Sequence, residues 1–316
     1  MPVNVPIGSR LGQTTLDIEQ VGYGRSCCSP CAPLLATGCQ SSGTTLIAEW
    51  LGSHERSAFG VEWGIIRTAT LWFSHCRGEG DGLRWARFDE YARLTHSARS
   101  GPEYDSLGLS VQAVLEDFIT SESLYAYLNH NDVDGFIRDL CYRVHIRRCS
   151  SALFWGDKYP EYCLFLPRLL DIFPNAKFVF IVRHPYDVIY SLATNQMRGF
   201  HRLGEPRQNL DDCKNQWISW NTRWTTFRDR LSRDAYLELR YEDALAAPRT
   251  AAVQLGDLIG VDLLDSPAFV EQLSLVRNEK HTGKGASQLF SQIRALAVTE
   301  DMERLCRSFD YHLCPE

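Results

Sequence analysis

Two short segments, 145 positions apart in a chain of 316 residues, carry the residue types from which an anion site is built. The first is Gly38-Cys-Gln-Ser-Ser-Gly-Thr-Thr45, and the second is Arg183-His-Pro-Tyr-Asp-Val-Ile-Tyr-Ser191. A glycine-containing loop that runs into a helix aims unpaired backbone N–H groups and a positive helix end at an anion. The hydroxyls of Ser42, Thr44 and Thr45 add donors to the backbone of Ser41 to Thr45. The spacing of Gly38 and Gly43 matches a nucleoside-triphosphate loop, yet Thr44 stands where such a loop requires lysine. That argues against a site for ATP and magnesium. Arg183 supplies what the loop lacks, a planar fork suited to phosphate, and the Ser191 hydroxyl supplies a further donor.

The elements that must hold these residues follow from local pattern. Apolar Pro33 to Ala36 precede the loop and Leu46, Ile47, Trp50 and Leu51 follow it at helical spacing, which predicts strand, loop and helix. Lys177-Phe-Val-Phe-Ile-Val182 is a continuous apolar run rich in β-formers, as expected of a buried strand in a parallel sheet. Arg183 then falls at that strand's C-terminal end, where ligands bind in open α/β sheets. Pro185 and Asp187 open the next helix, and Ser191 lies about two turns along it. Residues 61–150 are mostly helical in pattern, with breaks at Arg77-Gly-Glu-Gly-Asp-Gly82 and Ser100-Gly-Pro102. Tyr162 to Ile172 and 253–275 are expected to be helical, and 278–287 a polar loop. Trp217, Trp220 and Trp224 recur at helical spacing and belong to a core face.

Two more segments extend the pattern. Trp155-Gly-Asp-Lys-Tyr-Pro160 contains Asp-Lys-x-Pro, and Leu239-Arg-Tyr-Glu-Asp-Ala-Leu-Ala-Ala-Pro-Arg249 follows a later strand. In this order, over roughly residues 33–250, the four segments resemble the sulfotransferase superfamily, whose donor is 3'-phosphoadenylyl sulfate (PAPS). The resemblance implies an α/β fold of the P-loop NTPase-like kind, a central parallel sheet flanked by helices, with a helical acceptor-binding insertion at 61–150. It implies that Gly38, Gln40, Ser41, Ser42, Gly43, Thr44 and Thr45 hold the 5'-phosphosulfate, and that Arg183 and Ser191 hold the 3'-phosphate. Lys284, or Lys280, in the late polar loop takes the place of basic residues that reach the donor in many relatives.

The chain departs from the family pattern at two positions. The family usually carries Arg or Lys just before Ser-Gly-Thr, and Ser41 stands there. Lys158, whose counterpart points at the transferring group, is then the cation expected at the reacting centre, unless it pairs with Asp157 or solvent. Cytosolic relatives carry a catalytic His two residues after this lysine, and here that place is Pro160. The stretch His54…Phe59-Gly60-Val61-Glu62 resembles the tyrosylprotein branch, which implies Glu62 as base, with His54 and His145 as alternatives. The expected reaction is in-line sulfuryl transfer to an alcohol or phenol of a small molecule, releasing 3'-phosphoadenosine 5'-phosphate (PAP). A tyrosyl peptide as acceptor, or a PAPS/PAP-binding protein that has lost turnover because of Ser41, are the alternatives.

Composition bounds these readings. A net charge of −6 gives no reason to expect nucleic acid or an anionic membrane surface as partner. No apolar run spans a bilayer and the first thirty residues lack a signal-peptide core, so a soluble, cytoplasmic protein is expected, and a homodimer is compatible with it. Residues 1–32 are expected to form an arm, and 33–316 a single domain. Of eleven cysteines, Cys27, Cys28 and Cys31 cluster, yet no second pair with zinc-ligand spacing accompanies them, and no metal is expected. Cys141, Cys163 and Cys213 fall singly in apolar segments, as buried thiols do.

Overall fold

Five short strands, each paired in parallel with its neighbours, frame the site. The computed structural model describes residues 32–61, 66, 133–147, 149–197, 209–275 and 288–313, all within a unit that spans Cys31–Glu316. Strands β1 (Leu34–Gly38), β2 (Ser57–Val61), β3 (Phe154–Lys158), β4 (Lys177–Val182) and β5 (Tyr236–Arg240) lie in the order β2-β3-β1-β4-β5. The register sets Ala36 of β1 beside Lys158 and Gly38 beside Ile181, while Val61 of β2 pairs with Lys158 and Val182 of β4 with Arg240. All five C-terminal ends therefore share one edge. The chain leaves β1 toward one side of the sheet and enters β4 on the other, which opens the crevice where α/β sheets bind ligands.

Alternation along the strands sorts their side chains into two cores. Leu35, Ala58, Trp155, Phe178, Phe180 and Val182 join one buried cluster, and Leu34, Ala36, Phe59, Phe154, Val179 and Ile181 join the other. Helices α1 (Thr44–Ser53), α7 (Pro248–Ile259) and α8 (Pro267–Ser274) supply the second cluster. Helices α2 (Val133–Ile146), α3 (Leu166–Ile172), α4 (Pro185–Met197), α5 (Leu210–Arg228), α9 (Gln288–Arg294) and α10 (Glu300–Ser308) pack on the first. The expected sheet with helices on both faces is thus realised. A short helix, α6 (Tyr241–Ala246), leads from β5 into α7.

The tryptophans of α5 are core. Trp217 and Trp224 are fully buried, Trp224 stacks on Phe180 at 4.6 Å, and Phe227 meets Phe178 edge-on at 5.4 Å. Each such pair adds about 0.5–1.5 kcal/mol beyond its area burial. Asn209 and Asp212 close the start of α5 with a reciprocal capping box. Between β1 and β3 the backbones approach so closely that a Cβ at Gly156 would lie 1.9 Å from the Leu34 carbonyl oxygen, so only glycine fits.

Two helical expectations are modified, both by proline. The stretch from Tyr162 is a 3-10 turn over Pro160–Leu164 that breaks at Phe165 before α3 begins. A continuous helix would drive the Pro167 ring into the carbonyl of residue 163. Likewise 253–275 is two helices, because α7 ends at Gly260 in the left-handed region (φ 76°) and Pro267 opens α8 afresh. Cys141, Cys163 and Cys213 are buried free thiols, as expected. The segments 67–132 and 276–287 lie outside the described residues.

The start of α8 is tied to the end of α1 by Glu55. Its carboxylate accepts from the Ser266 hydroxyl and from the Ala268 N–H at 3.2 Å. The Ser266 bond, its own backbone N–H and Ala268 hold the Glu55 carboxyl below its usual 4.5. A lowered folded-state pKa gives stability that is present above the unfolded value and lost as pH falls through the folded one. Glu55→Gln is therefore expected to lower the thermal midpoint at pH 7, with the gap to wild type closing below about pH 4. Melting curves from pH 7 to pH 3 check this, and a gap independent of pH would refute it.

Candidate active site

The loop between β1 and α1 is a tight turn whose Ser42 N–H donates to the Cys39 carbonyl at 3.0 Å. Ser41 (φ 69°) and Gly43 (φ 97°) both occupy the left-handed region, at a cost of about 1–2 kcal/mol for the serine. Gly43 cannot carry a side chain, since a Cβ would lie 2.1 Å from the Tyr241 ring. A Cβ at Gly38 would lie 2.3 Å from the Ile181 carbonyl and 2.7 Å from Ser42 Oγ. The loop is thus pressed between β4 and Tyr241. Leu46 N–H returns to the Gly43 carbonyl at 3.0 Å, so the N–H groups of Gly43, Thr44 and Thr45 face outward from the helix start without intrahelical acceptors.

One hydroxyl in this loop has no partner of its own. Ser42 Oγ is buried, with the residue 1% exposed, and meets no hydrogen-bond partner among the described residues. A buried hydroxyl left unpaired costs about 1–3 kcal/mol, which makes Ser42 a candidate donor to a group bound at the loop. Cys39 lies beneath the same loop, and burial, followed by nearby Cys163 and Cys213, holds its thiol far above the ordinary range. It stays neutral and adds no negative charge to the turn.

Two cations reach the loop from neighbouring strands. In β3 the even-numbered residues face α1, so Lys158 points under the loop, 1% exposed, and donates to Thr45 Oγ1 at 3.2 Å. Asp157 points to the opposite face, where it accepts the Tyr162 hydroxyl at 3.0 Å. Arg183, the first residue beyond β4 and 7% exposed, donates from one guanidinium nitrogen to the Ser41 carbonyl at 3.2 Å. Its other terminal nitrogen lies 3.9 Å from Asp187, and its planar head sits 4.6 Å above the Tyr241 ring, a cation–π contact. The Trp217 indole N–H donates to the Arg183 carbonyl at 3.1 Å. Gln216, on the same helix, donates to the Gln40 side chain at 3.2 Å. Ser191 is half-buried, about 9 Å along α4 from Pro185.

Residues 33–265, which include every one of these groups, match the model of the Sulfotransferase family. The chain belongs to this family. Among solved structures, the sulfotransferase domain from the curacin biosynthetic pathway shares its fold, with a TM-score of 0.53 at 18% identity, covering 90% of this chain and 99% of that one. The sulfotransferase domain of the Synechococcus PCC 7002 olefin synthase gives 0.51 at 18% identity, covering 89% and 94%. In sequence, the chain is 27% identical over 124 residues to an omega-hydroxy-beta-dihydromenaquinone-9 sulfotransferase of Mycobacterium tuberculosis. That match spans 38% of this chain and 31% of the relative, so about a third of the relative's length is represented.

For this sulfotransferase-family chain, Gly38, Gln40, Ser41, Ser42, Gly43, Thr44, Thr45, Lys158 and Arg183 converge on one end of the crevice, and Ser191 lies on the helix that Arg183 precedes. Glu62 and Lys284 lie outside the described residues, as do Lys280, Cys27, Cys28 and Cys31. Glu62 directly follows Val61, which pairs with Lys158 in the sheet register. The two alternative histidines have structural roles. His54 Nδ1 accepts the Arg56 N–H at 3.0 Å, and burial lowers its pKa. His145 is fully buried, and its Nδ1–H donates to the Cys141 carbonyl at 2.6 Å. Tyr241, Trp217 and Gln216 are additions that the sequence pattern did not single out as site residues. Tyr241 sat in a recognised segment, but only its contacts with Gly43 and Arg183 assign it a place. Among the described residues no helix is long and apolar enough to cross a membrane, and no three His, Cys, Asp or Glu side chains converge as a metal site.

The unpaired Ser42 hydroxyl generates a prediction with opposite signs in two assays. Ser42→Ala removes a buried hydroxyl that has no hydrogen-bond partner among the described residues. Thermal unfolding without nucleotide is expected to be unchanged or slightly later, while affinity for PAP falls about 10-fold. Scanning calorimetry and titration calorimetry on the same sample check both. A destabilised protein with unaltered affinity would show that the hydroxyl serves the fold instead.

Proposed function

We propose that this chain is a PAPS-dependent sulfotransferase that moves a sulfuryl group to a hydroxyl of a small-molecule acceptor. The observation that carries the proposal is the meeting, at one edge of a parallel sheet, of a glycine loop with outward N–H groups, a buried lysine beneath it and a buried arginine against it. The loop from Gly38 to Thr45 holds the phosphosulfate, with the hydroxyls of Ser42, Thr44 and Thr45 as side-chain donors. Arg183 and Ser191 hold the 3'-phosphate, and Lys284 or Lys280 supplies a further cation to the donor. No metal is required.

In the reaction the acceptor oxygen attacks sulfur, the bond from sulfur to the phosphate oxygen breaks, and PAP leaves with the bridging electron pair. As in phosphoryl transfer, little covalent work falls to the protein, and rate comes from positioning and charge stabilisation. Lys158 meets the charge developing on the bridging oxygen, the role for which the family's loop cation is absent at Ser41. Glu62 takes the acceptor's proton. A hydroxylated, largely apolar acceptor accords with the name of the mycobacterial relative, and a tyrosyl peptide with the position of Glu62. Ser41 favours one second reading, a protein that binds PAP without turnover.

Titration of the purified chain with PAP, and in parallel with ATP plus magnesium, tests the donor site. Binding of PAP alone is expected, and binding of ATP–magnesium alone would overturn the proposal. Arg183→Ala is expected to weaken PAP more than about 10-fold, since it removes a charged phosphate contact. Lys158→Ala is expected to lower turnover about 100-fold or more with donor affinity little changed. Wild-type PAP binding with no sulfated product across an acceptor panel would leave the second reading in place.

A further inference from the structure

The peptide that carries Arg183 is held on both sides by groups remote in sequence, and the chain segment after α10 supplies one of them. Glu242, on α6, accepts the His184 N–H through Oε1 at 3.0 Å. Its other oxygen, Oε2, accepts the Tyr311 hydroxyl at 2.6 Å. The same hydroxyl lies 3.3 Å from the carbonyl oxygen of Val182. Arg183 is therefore bracketed. The residue before it meets Tyr311 at its carbonyl, the residue after it is bound by Glu242 at its N–H, and its own carbonyl takes the Trp217 indole.

Tyr311 reaches this place through a helix end built for it. Asp310 takes the left-handed conformation (φ 55°), and the Tyr311 N–H returns to the Cys306 carbonyl at 2.8 Å, closing α10 in the manner of a Schellman turn. Arg240 lies over the Tyr311 ring at 4.5 Å, and the His184 ring meets it edge-on at 5.4 Å. The ring is buried, and burial with the adjacent Glu242 carboxylate drives the phenol's pKa far upward. The hydroxyl therefore remains a donor at all ordinary pH values.

The geometry points to Tyr311 as a positioning residue that acts through Glu242 and Val182 to aim Arg183 at the donor's 3'-phosphate. The site so arranged needs no new charge at Tyr311. It needs the peptides of Val182–His184 fixed, so that the guanidinium projects over Tyr241 and toward Ser41 rather than along the sheet edge. Pre-setting an arginine in this way reduces what is lost when it is ordered around a phosphate.

The inference rests on the proposed PAPS site, and the test separates the two. Titrate wild type, Tyr311→Phe, Arg183→Ala and the double variant with PAP and with adenosine 5'-phosphosulfate, which lacks the 3'-phosphate. For Tyr311→Phe, PAP affinity is expected to fall about 5-fold and adenosine 5'-phosphosulfate affinity to stay within about 2-fold. In the Arg183→Ala background the same change is expected to have no further effect on PAP, because the group it aims is gone. Equal losses for both nucleotides, or an undiminished loss without Arg183, would reduce Tyr311 to a packing role and overturn the inference. So would no loss at all. A wild-type protein that does not prefer PAP over the 5'-phosphosulfate would instead remove the 3'-phosphate site itself, and the inference with it. Glu242→Gln serves as a second variant. It keeps an acceptor for one bond only, and the same selective loss of PAP affinity is expected.

Discussion

A lysine ammonium buried inside a sheet is the constraint on which the site depends. Taking such a charge out of water costs several kcal/mol unless hydrogen bonds or an opposite charge replace the lost hydration. Lys158 cannot turn to Asp157, because consecutive strand residues face opposite sides and Asp157 is engaged with Tyr162. Its ammonium bonds the hydroxyl of Thr45, which opens α1 directly after the loop. That bond fixes the lysine under the turn, and the buried Ser42 hydroxyl belongs to the same turn.

The second cation is held differently. Arg183 is short of full burial and touches four kinds of partner: a backbone carbonyl at Ser41, a carboxylate at Asp187, an aromatic face at Tyr241 and, through its own carbonyl, an indole. Together the contacts at Ser41, Asp187 and Tyr241 fix the direction of the guanidinium fork toward the loop. Tyr241 connects the two halves of the site, since the same ring excludes any side chain at Gly43 and supports Arg183. Loop conformation and arginine orientation are therefore coupled through one aromatic residue at the end of β5.

The serine at position 41 shows how the family plan is adapted here. Its left-handed backbone turns its carbonyl to Arg183, so the place where relatives carry a cation in sequence is approached by a cation in space. Under the proposed function, Lys158, which approaches the loop from β3, takes the part of that missing cation.

Much of the fold was legible because its signals are local. The six residues of β4, five of them apolar, formed the predicted strand at its predicted bounds, and the glycines at 38 and 43 placed the turn. The sequence left open a pairing of Lys158 with Asp157, and the alternation of β3 turns the two side chains apart. The prolines that split the expected helices were visible too, but their effect needed the ring's clash with a specific carbonyl. The site was legible in its charged and hydroxyl members and not in its supports. Nothing in the sequence gives Tyr241, Trp217, Glu242 and Tyr311 these supporting roles, which come from contacts spanning 34 to 198 positions. By itself the sequence determined the strands β1 and β4, the turn between Gly38 and Gly43 and the charged and hydroxyl side chains around it, since backbone sterics and side-chain chemistry act within a few residues. Only the tertiary structure decided how those side chains are aimed, because aiming depends on hydrogen bonds and ring contacts between segments that the parallel sheet brings together.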